Sequence, residues 1–325
     1  MLRLAMLTLL FVGSFALHPG DGFAEPYPSK AIKLIVPQAP GAQNDVLARM
    51  LGERLTELWS EPVIVENHGG AGGTIGADLV AKAVPDGYTV LVGGLNNLAV
   101  ATALVNDLRY DPIRDFAPVG GFARVPYALA VNRNVPATTL AELIGYARAH
   151  PGRLTYGSGG SGSTSSLGAE LLKAMAGVDM VHVPYRGSAP SISALVSGEI
   201  DIMFADLSLL APHAKAGTLR LIAAAGARRA SVAPELPTVA EQGLPGFAIE
   251  PWYGVVVPAG TPPDIVAKLA GGLHEVIRAP EIGRRFAQLG YEPMIDTPEQ
   301  FGALIRSEIA KYTALIKRAG IHGEP

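Results

Sequence analysis

The chain has 325 residues, a net charge of -3 and no cysteine, with 49% hydrophobic and only 6% aromatic residues. Without thiols there is no disulfide, no thiolate metal site, no cysteine nucleophile and no lipid carried on a cysteine, so stability rests on core burial. The basic residues are dispersed, with Arg228-Arg229 and Lys317-Arg318 the tightest pairs, which excludes the electrostatic footprint of a nucleic-acid binder.

After Arg3 an apolar stretch runs from Leu4 to Leu17, followed by His18, Pro19 and Gly20 and then by Gly22-Phe23-Ala24, with small residues at the two positions a signal peptidase reads. This predicts a cleavable secretory signal over residues 1–24. The run is shorter than the roughly 20 apolar residues of a membrane span and no second long one follows, so a soluble mature chain is expected. About 300 residues remain, enough for two ordinary domains.

Short β-rich runs then alternate with segments of helical period, the pattern of parallel α/β units. Ile32 to Val36 reads as a strand; from Val46, the residues Leu47, Met50, Leu51, Leu55 and Leu58 share a helical face; Val63 to Val65 begins the next strand. Thr74 to Ala83 gives a second helix, Pro85-Asp86-Gly87 a turn and Thr89 to Val92 a third strand. Beyond Pro126 a second series reads as strands Ala128 to Val131, Leu154 to Tyr156, Met180 to Val183 and Ile200 to Phe204, with helices Leu140 to Ala149, Leu167 to Ala176 and Ala189 to Val196 between them. Capping boxes at Thr139/Glu142, Thr238/Glu241 and Thr297/Gln300 predict three helix starts. After a strand at Tyr253 to Val257 the chain reads as helical to its end.

Three strand-to-helix turns could carry chemistry, because such turns aim backbone N–H groups of a helix N-terminus at an anion. The first is Pro37 to Asp45, where Asn44 or Asp45 can cap the following helix; a plain capped turn would need the same residues. The second, Gly69-Gly70-Ala71-Gly72-Gly73-Thr74, is equally consistent with close backbone packing. The third, Tyr156 to Ser166, is the richest, offering six side-chain hydroxyls after Tyr156 beside its backbone donors. Its Gly157, Gly159 and Gly162 also match a dinucleotide fingerprint, but the next strand ends at Val183-Pro184-Tyr185-Arg186 with no acid to receive a ribose. The seven histidines lack metal-ligand spacing, and no G-x-S-x-G elbow occurs.

The chain resembles the substrate-binding proteins of tripartite tricarboxylate transporters, the Bug family. The resemblance rests on Tyr27-Pro28-Ser29-Lys30, on Val63-Ile64-Val65-Glu66-Asn67 leading into Gly70-Ala71-Gly72-Gly73, and on Pro85-Asp86-Gly87-Tyr88-Thr89. It continues through Met180 to Gly187, Gly198 to Phe204 and Leu236 to Gly246, in order and at matching spacing.

This resemblance implies an α/β, type II-like periplasmic-binding-protein fold, with two α/β domains joined by crossing strands near Phe122 to Pro126 and Phe247 to Trp252. Residues 25–124 and 248–325 would form one lobe and 125–247 the other. It further implies a periplasmic receptor that holds a small carboxylate with backbone donors and hydroxyls, partly through water, and delivers it to membrane permease subunits. The ligand-binding residues so implied are Pro40, Gly41, Ala42, Gln43, Asn44 and Asp45 of the first turn, Gly73 of the second, and Ser158, Gly159, Ser161, Gly162, Ser163, Thr164 and Ser166 of the third, with Tyr185, Arg186 and Asp206 beside them. A monomer without metal, cofactor or catalytic residue is expected. Ala42, Ser166 and Ala205-Asp206 depart from the common family pattern and bear on the far end of the ligand. A sensor subunit for a membrane kinase, or an enzyme acting on a small carboxylate, are the alternative readings.

Overall fold

The computed structural model describes residues 27–160 and 162–321; the expected signal segment and Ser161 lie outside the described residues. The first strand, β1 (Ile32–Val36), is followed by helix α1 (Gln43–Trp59), β2 (Val63–Asn67), α2 (Thr74–Ala81) and β3 (Thr89–Gly94). The inward residues of β1 are fully buried, and β1 pairs in parallel with both β2 and β3. Parallel strands buried on both faces read as continuous apolar runs. That is how β1 was legible.

After β3 come a π-helical turn (Asn96–Val100) and a short helix α3 (Ala101–Leu104), then β4 (Phe116–Arg124). A strand at β4 is not predicted by its composition, since Pro118, Gly120 and Gly121 are poor strand formers. The glycines are required by packing: a Cβ on Gly121 would lie 2.7 Å from Asp296 Oδ2 and 2.8 Å from Met294 Cε. The chain then leaves this sheet for a second one.

That second sheet contains β5 (Tyr127–Asn132), β6 (Thr155–Ser158), β7 (Val181–Pro184), β8 (Ile202–Asp206) and β9 (Leu219–Ala224), in the order β7-β6-β8-β5-β9. Helices α4 (Leu140–Ala149), α5 (Thr164–Ala176), α6 (Ser188–Ser197) and α7 (Leu207–Lys215) connect them. The chain returns in β10 (Trp252–Pro258), followed by α8 (Pro263–Arg278), α9 (Pro280–Leu289), the short β11 (Glu292–Pro293) and α10 (Pro298–Ala319). The first sheet is thereby completed in the order β11-β4-β10-β3-β1-β2.

Two segments cross between the sheets and run side by side. Val125 N–H donates to the Pro251 carbonyl at 2.9 Å, Ala225 N–H to Tyr127 at 2.8 Å and Ile249 N–H to Ala225 at 2.8 Å. Arg124 and Glu250 pair across the crossing at 3.0 Å.

Two of the predicted capping boxes start helices, at Thr139 for α4 and Thr297 for α10. The third does not. Thr238 and Glu241 exchange the expected bonds at 3.0 and 2.7 Å, but around a single turn. Gly243 at φ +109° and Pro245 two residues later stop helical propagation there. Helix α1 also begins three residues before the predicted Val46.

Candidate functional site

β1, β2 and β3 end on one edge of their sheet and β6, β7 and β8 on one edge of theirs, and the first and third of the turns singled out in the sequence meet the opposite lobe across the cleft between them. The turn after β1 meets the one after β8 through Gln43 and Asp206, and the turn after β3 meets the one after β6 through Asn96 and Thr164.

In the first turn, Pro40 and Gly41 are exposed and Gly41 takes φ +81°, a left-handed conformation that glycine adopts without strain. The cap of α1 falls on Ala42, so neither Asn44 nor Asp45 caps the helix, and its first N–H groups have no side-chain acceptor. Asp45 instead staples the turn internally. Its carboxylate accepts from Gly41 N–H at 2.8 Å, from the Asn67 amide at 2.9 Å and from Arg49 at 2.9–3.0 Å. Burial alone would raise this carboxyl, but the bonds from Arg49, Gly41 and Asn67 outweigh it and hold it below the ordinary aspartate value. Asn44 is buried and donates to the Val92 carbonyl at 2.6 Å, so its side chain serves the sheet.

Gly73 of the second turn is buried, and a Cβ there would lie 2.9 Å from Asn97 Nδ2 and 3.1 Å from the Pro37 carbonyl. Its glycine is required by the packing of three turns against one another.

The third turn is a hydroxyl-lined bend in which Gly160 and Gly162 take φ +117° and +72°. Ser163 caps α5, accepting from Ser166 N–H at 3.3 Å, while Ser165 lies 2.9 Å from it and accepts from Gly159 N–H at 3.1 Å. Ser166 turns back onto the Ser163 carbonyl at 2.9 Å. Ser158 is fully buried beneath the bend, 2.7 Å from His182 Nε2 and 3.1 Å from both the N–H and the carbonyl of Gly160. Those bonds make the serine–histidine pair a brace for the turn. Gly157, one of the fingerprint glycines, is needed because its Cβ would lie 2.1 Å from Ile200 Cδ1.

Tyr185 aims its hydroxyl at Glu199, 2.8 Å away; burial first, and that acceptor second, push the phenol up to about 12. Arg186 is exposed at the rim and has no hydrogen-bond or ion-pair partner among the described residues. Asp206, at the end of β8, is 2% exposed; it caps α7 by accepting from Ser208 N–H and hydroxyl at 2.8 Å each, and it also accepts from the Gln43 amide. Burial pushes its carboxyl above the ordinary value against the bonds from Ser208, Gln43 and Tyr291. Gln43 in turn lies 3.4 Å from the Tyr253 hydroxyl.

Bonds from Gln43 to Asp206, from Tyr291 to Asp206, and from Thr164 Oγ1 to Asn96 Oδ1 at 2.9 Å therefore join the two lobes at the cleft. Asn96, Tyr253 and Tyr291 were missed by sequence reasoning. Asn96 follows Gly93-Gly94 at the end of β3, so the same strand-to-turn signal would have found it. The two tyrosines carry no local signal.

A cleft between two α/β lobes, floored by helix N-termini and small hydroxyls, defines a solute-binding protein of the two-lobed periplasmic-binding type. The model of the tripartite tricarboxylate transporter family receptor matches residues 47–321, and the chain belongs to that family. It is 34% identical over 298 residues to the protein BugT of Bordetella pertussis, covering 91% of each chain. Among solved structures it is similar to a Rhodopseudomonas palustris protein solved with adipate, at 36% identity and TM-score 0.83, covering 92% of this chain and all of that one. The periplasmic binding protein BugD gives 32% and 0.81 over 92% of this chain and 100% of its own, and the R. palustris protein MatC with bound malate gives 32% and 0.79 over 89% and 100%.

Proposed function

We propose that the chain is exported to the periplasm, captures one small carboxylate in the cleft and passes it unchanged to the permease subunits of a tripartite transporter. The observation that supports the reading is that the uncapped start of α1 and the hydroxyl-rich start of α5 each reach a turn of the opposite lobe, in a receptor of this family. A carboxylate received by charge-assisted bonds worth roughly 1.5–3 kcal/mol each, and by helix N-termini worth about 0.3–1 kcal/mol, reaches micromolar affinity, about -8 kcal/mol, after ordering losses. No arginine clamp is needed. The related proteins solved with adipate and malate support the ligand class.

The closing bodies are residues 27–124 with 248–321, and 125–247, and the protein acts as a monomer. A ligand that touches both bodies shifts the population toward the closed form by its differential affinity. The test is a thermal-shift screen of organic, aromatic and amino acids on the processed protein, with mass analysis of the bound fraction. At about 100 times its Kd a ligand adds roughly 2.7 kcal/mol and raises Tm by several degrees. Absence of any stabilising acid would refute the ligand class, and chemical conversion of the best hit would refute the receptor reading.

A further inference from the structure

The cleft carries charge of opposite sign at its two ends. Strand order places the turn of Arg186 at the outer rim, the hydroxyl bend after β6 in the middle, and Asp206 after β8 on the side of the crossing strands. Neighbouring strands are about 4.8 Å apart, so Asp206 sits roughly one strand spacing from the bend that receives a carboxylate. Every group that touches Asp206 is neutral: Ser208 N–H and hydroxyl, the Gln43 amide and Tyr291. The other titratable groups facing it are Tyr127 on β5 and Tyr253 on β10, whose phenols are raised by burial first and further by this carboxylate. A buried anion compensated only by dipoles repels any second anion brought near it.

We propose that Asp206 sets the ligand class: the site selects an acid whose end facing the crossing strands carries a hydrogen-bond donor, hydroxyl or ammonium, and rejects a second carboxylate there. This rests on the carboxylate-capture reading. Repulsion between two carboxylates about 6 Å apart at an effective dielectric of about 20 disfavours the dicarboxylate on the order of tenfold to a hundredfold. A hydroxyl or ammonium takes the place of the Gln43 amide on Asp206, leaving neither oxygen without a donor.

Asp206→Asn tests this, because asparagine keeps the size and, through its remaining oxygen, the helix cap, while it removes the charge and puts an amide donor where one oxygen accepts from Gln43. Matched acids provide the probes: succinate, 4-hydroxybutyrate and 4-aminobutyrate; adipate, 6-hydroxyhexanoate and 6-aminohexanoate; terephthalate and 4-hydroxybenzoate. Titration calorimetry on the processed protein at pH 7.5 should show the hydroxy or amino member binding at least tenfold more tightly than the dicarboxylate of its set. In D206N the dicarboxylate should gain at least tenfold relative to its partners. A wild-type ranking that favours the dicarboxylate, or a ranking unchanged in D206N, overturns the proposal. If D206N does not fold, the wild-type ranking alone decides. Failure of every probe, and of every acid in the broader screen, to bind either protein overturns the carboxylate reading itself, and with it this inference.

Discussion

Replacing Asp45 by alanine removes the staple of the first turn and leaves the Gly41 N–H and the Asn67 amide without their acceptor. Two hydrogen bonds to a charged, buried group are lost, each worth about 1.5 kcal/mol. The Arg49 side chain is half exposed, so the ion pair with it adds at most about 0.5 kcal/mol. The total is about 3 kcal/mol, which for a chain of this size lowers Tm by about 5 °C, or by about 8 °C if the lobes unfold separately. The pH dependence gives an independent check. The folded carboxyl lies below its ordinary value, so its contribution is fully present above about pH 4 and is lost as pH falls through the folded value. Calorimetric melting of wild type and Asp45→Ala should show a constant gap between pH 6 and 8 that narrows below pH 4. A gap below 1 °C at neutral pH, or one that persists unchanged into the acid limb, would refute the staple.

Gly254→Ala should unfold or severely destabilise the protein, because its Cβ would lie 2.0 Å from the Phe301 ring that fills the first lobe; far-UV circular dichroism during melting reads this directly. Ser163→Val removes the cap of α5 and should lower stability by about 1 kcal/mol in denaturant titrations while weakening any confirmed ligand at least tenfold. Gly41→Val meets open space but forces a β-branched residue to φ +81°, so ligand affinity should fall more than Tm; unchanged affinity would remove that turn from the site.

Local rules carried much of the fold. The βαβ units were readable because buried parallel strands and amphipathic helices impose different periods on apolar residues, as in β1, α1 and β3. The third turn was readable because a strand running into Gly-Ser-Gly-Gly-Ser-Gly has few structural uses, and the capping boxes at Thr139 and Thr297 marked true helix starts. The Thr238 box misled because its bonds need only one turn of backbone, while a helix also needs continued propagation. Strand β4 was invisible because Gly120 and Gly121 were chosen for what packs on them, a reason that lies in Asp296, Leu273 and Met294, far away in the chain.

The sequence by itself determined the class of the molecule: cysteine-free α/β lobes with glycine- and hydroxyl-rich turns where strands meet helices, all properties of neighbouring residues. Tertiary structure alone decided which of those residues face the cleft. It turned Asn44 to a strand carbonyl, committed both oxygens of Asp45 to the turn itself, buried Ser158 beneath its own bend, and brought Gln43 across to Asp206 from a position 163 residues away. Side-chain direction depends on which partner a polar group meets when the sheets come together, and for groups so distant in sequence that partner is chosen by packing rather than by any local pattern.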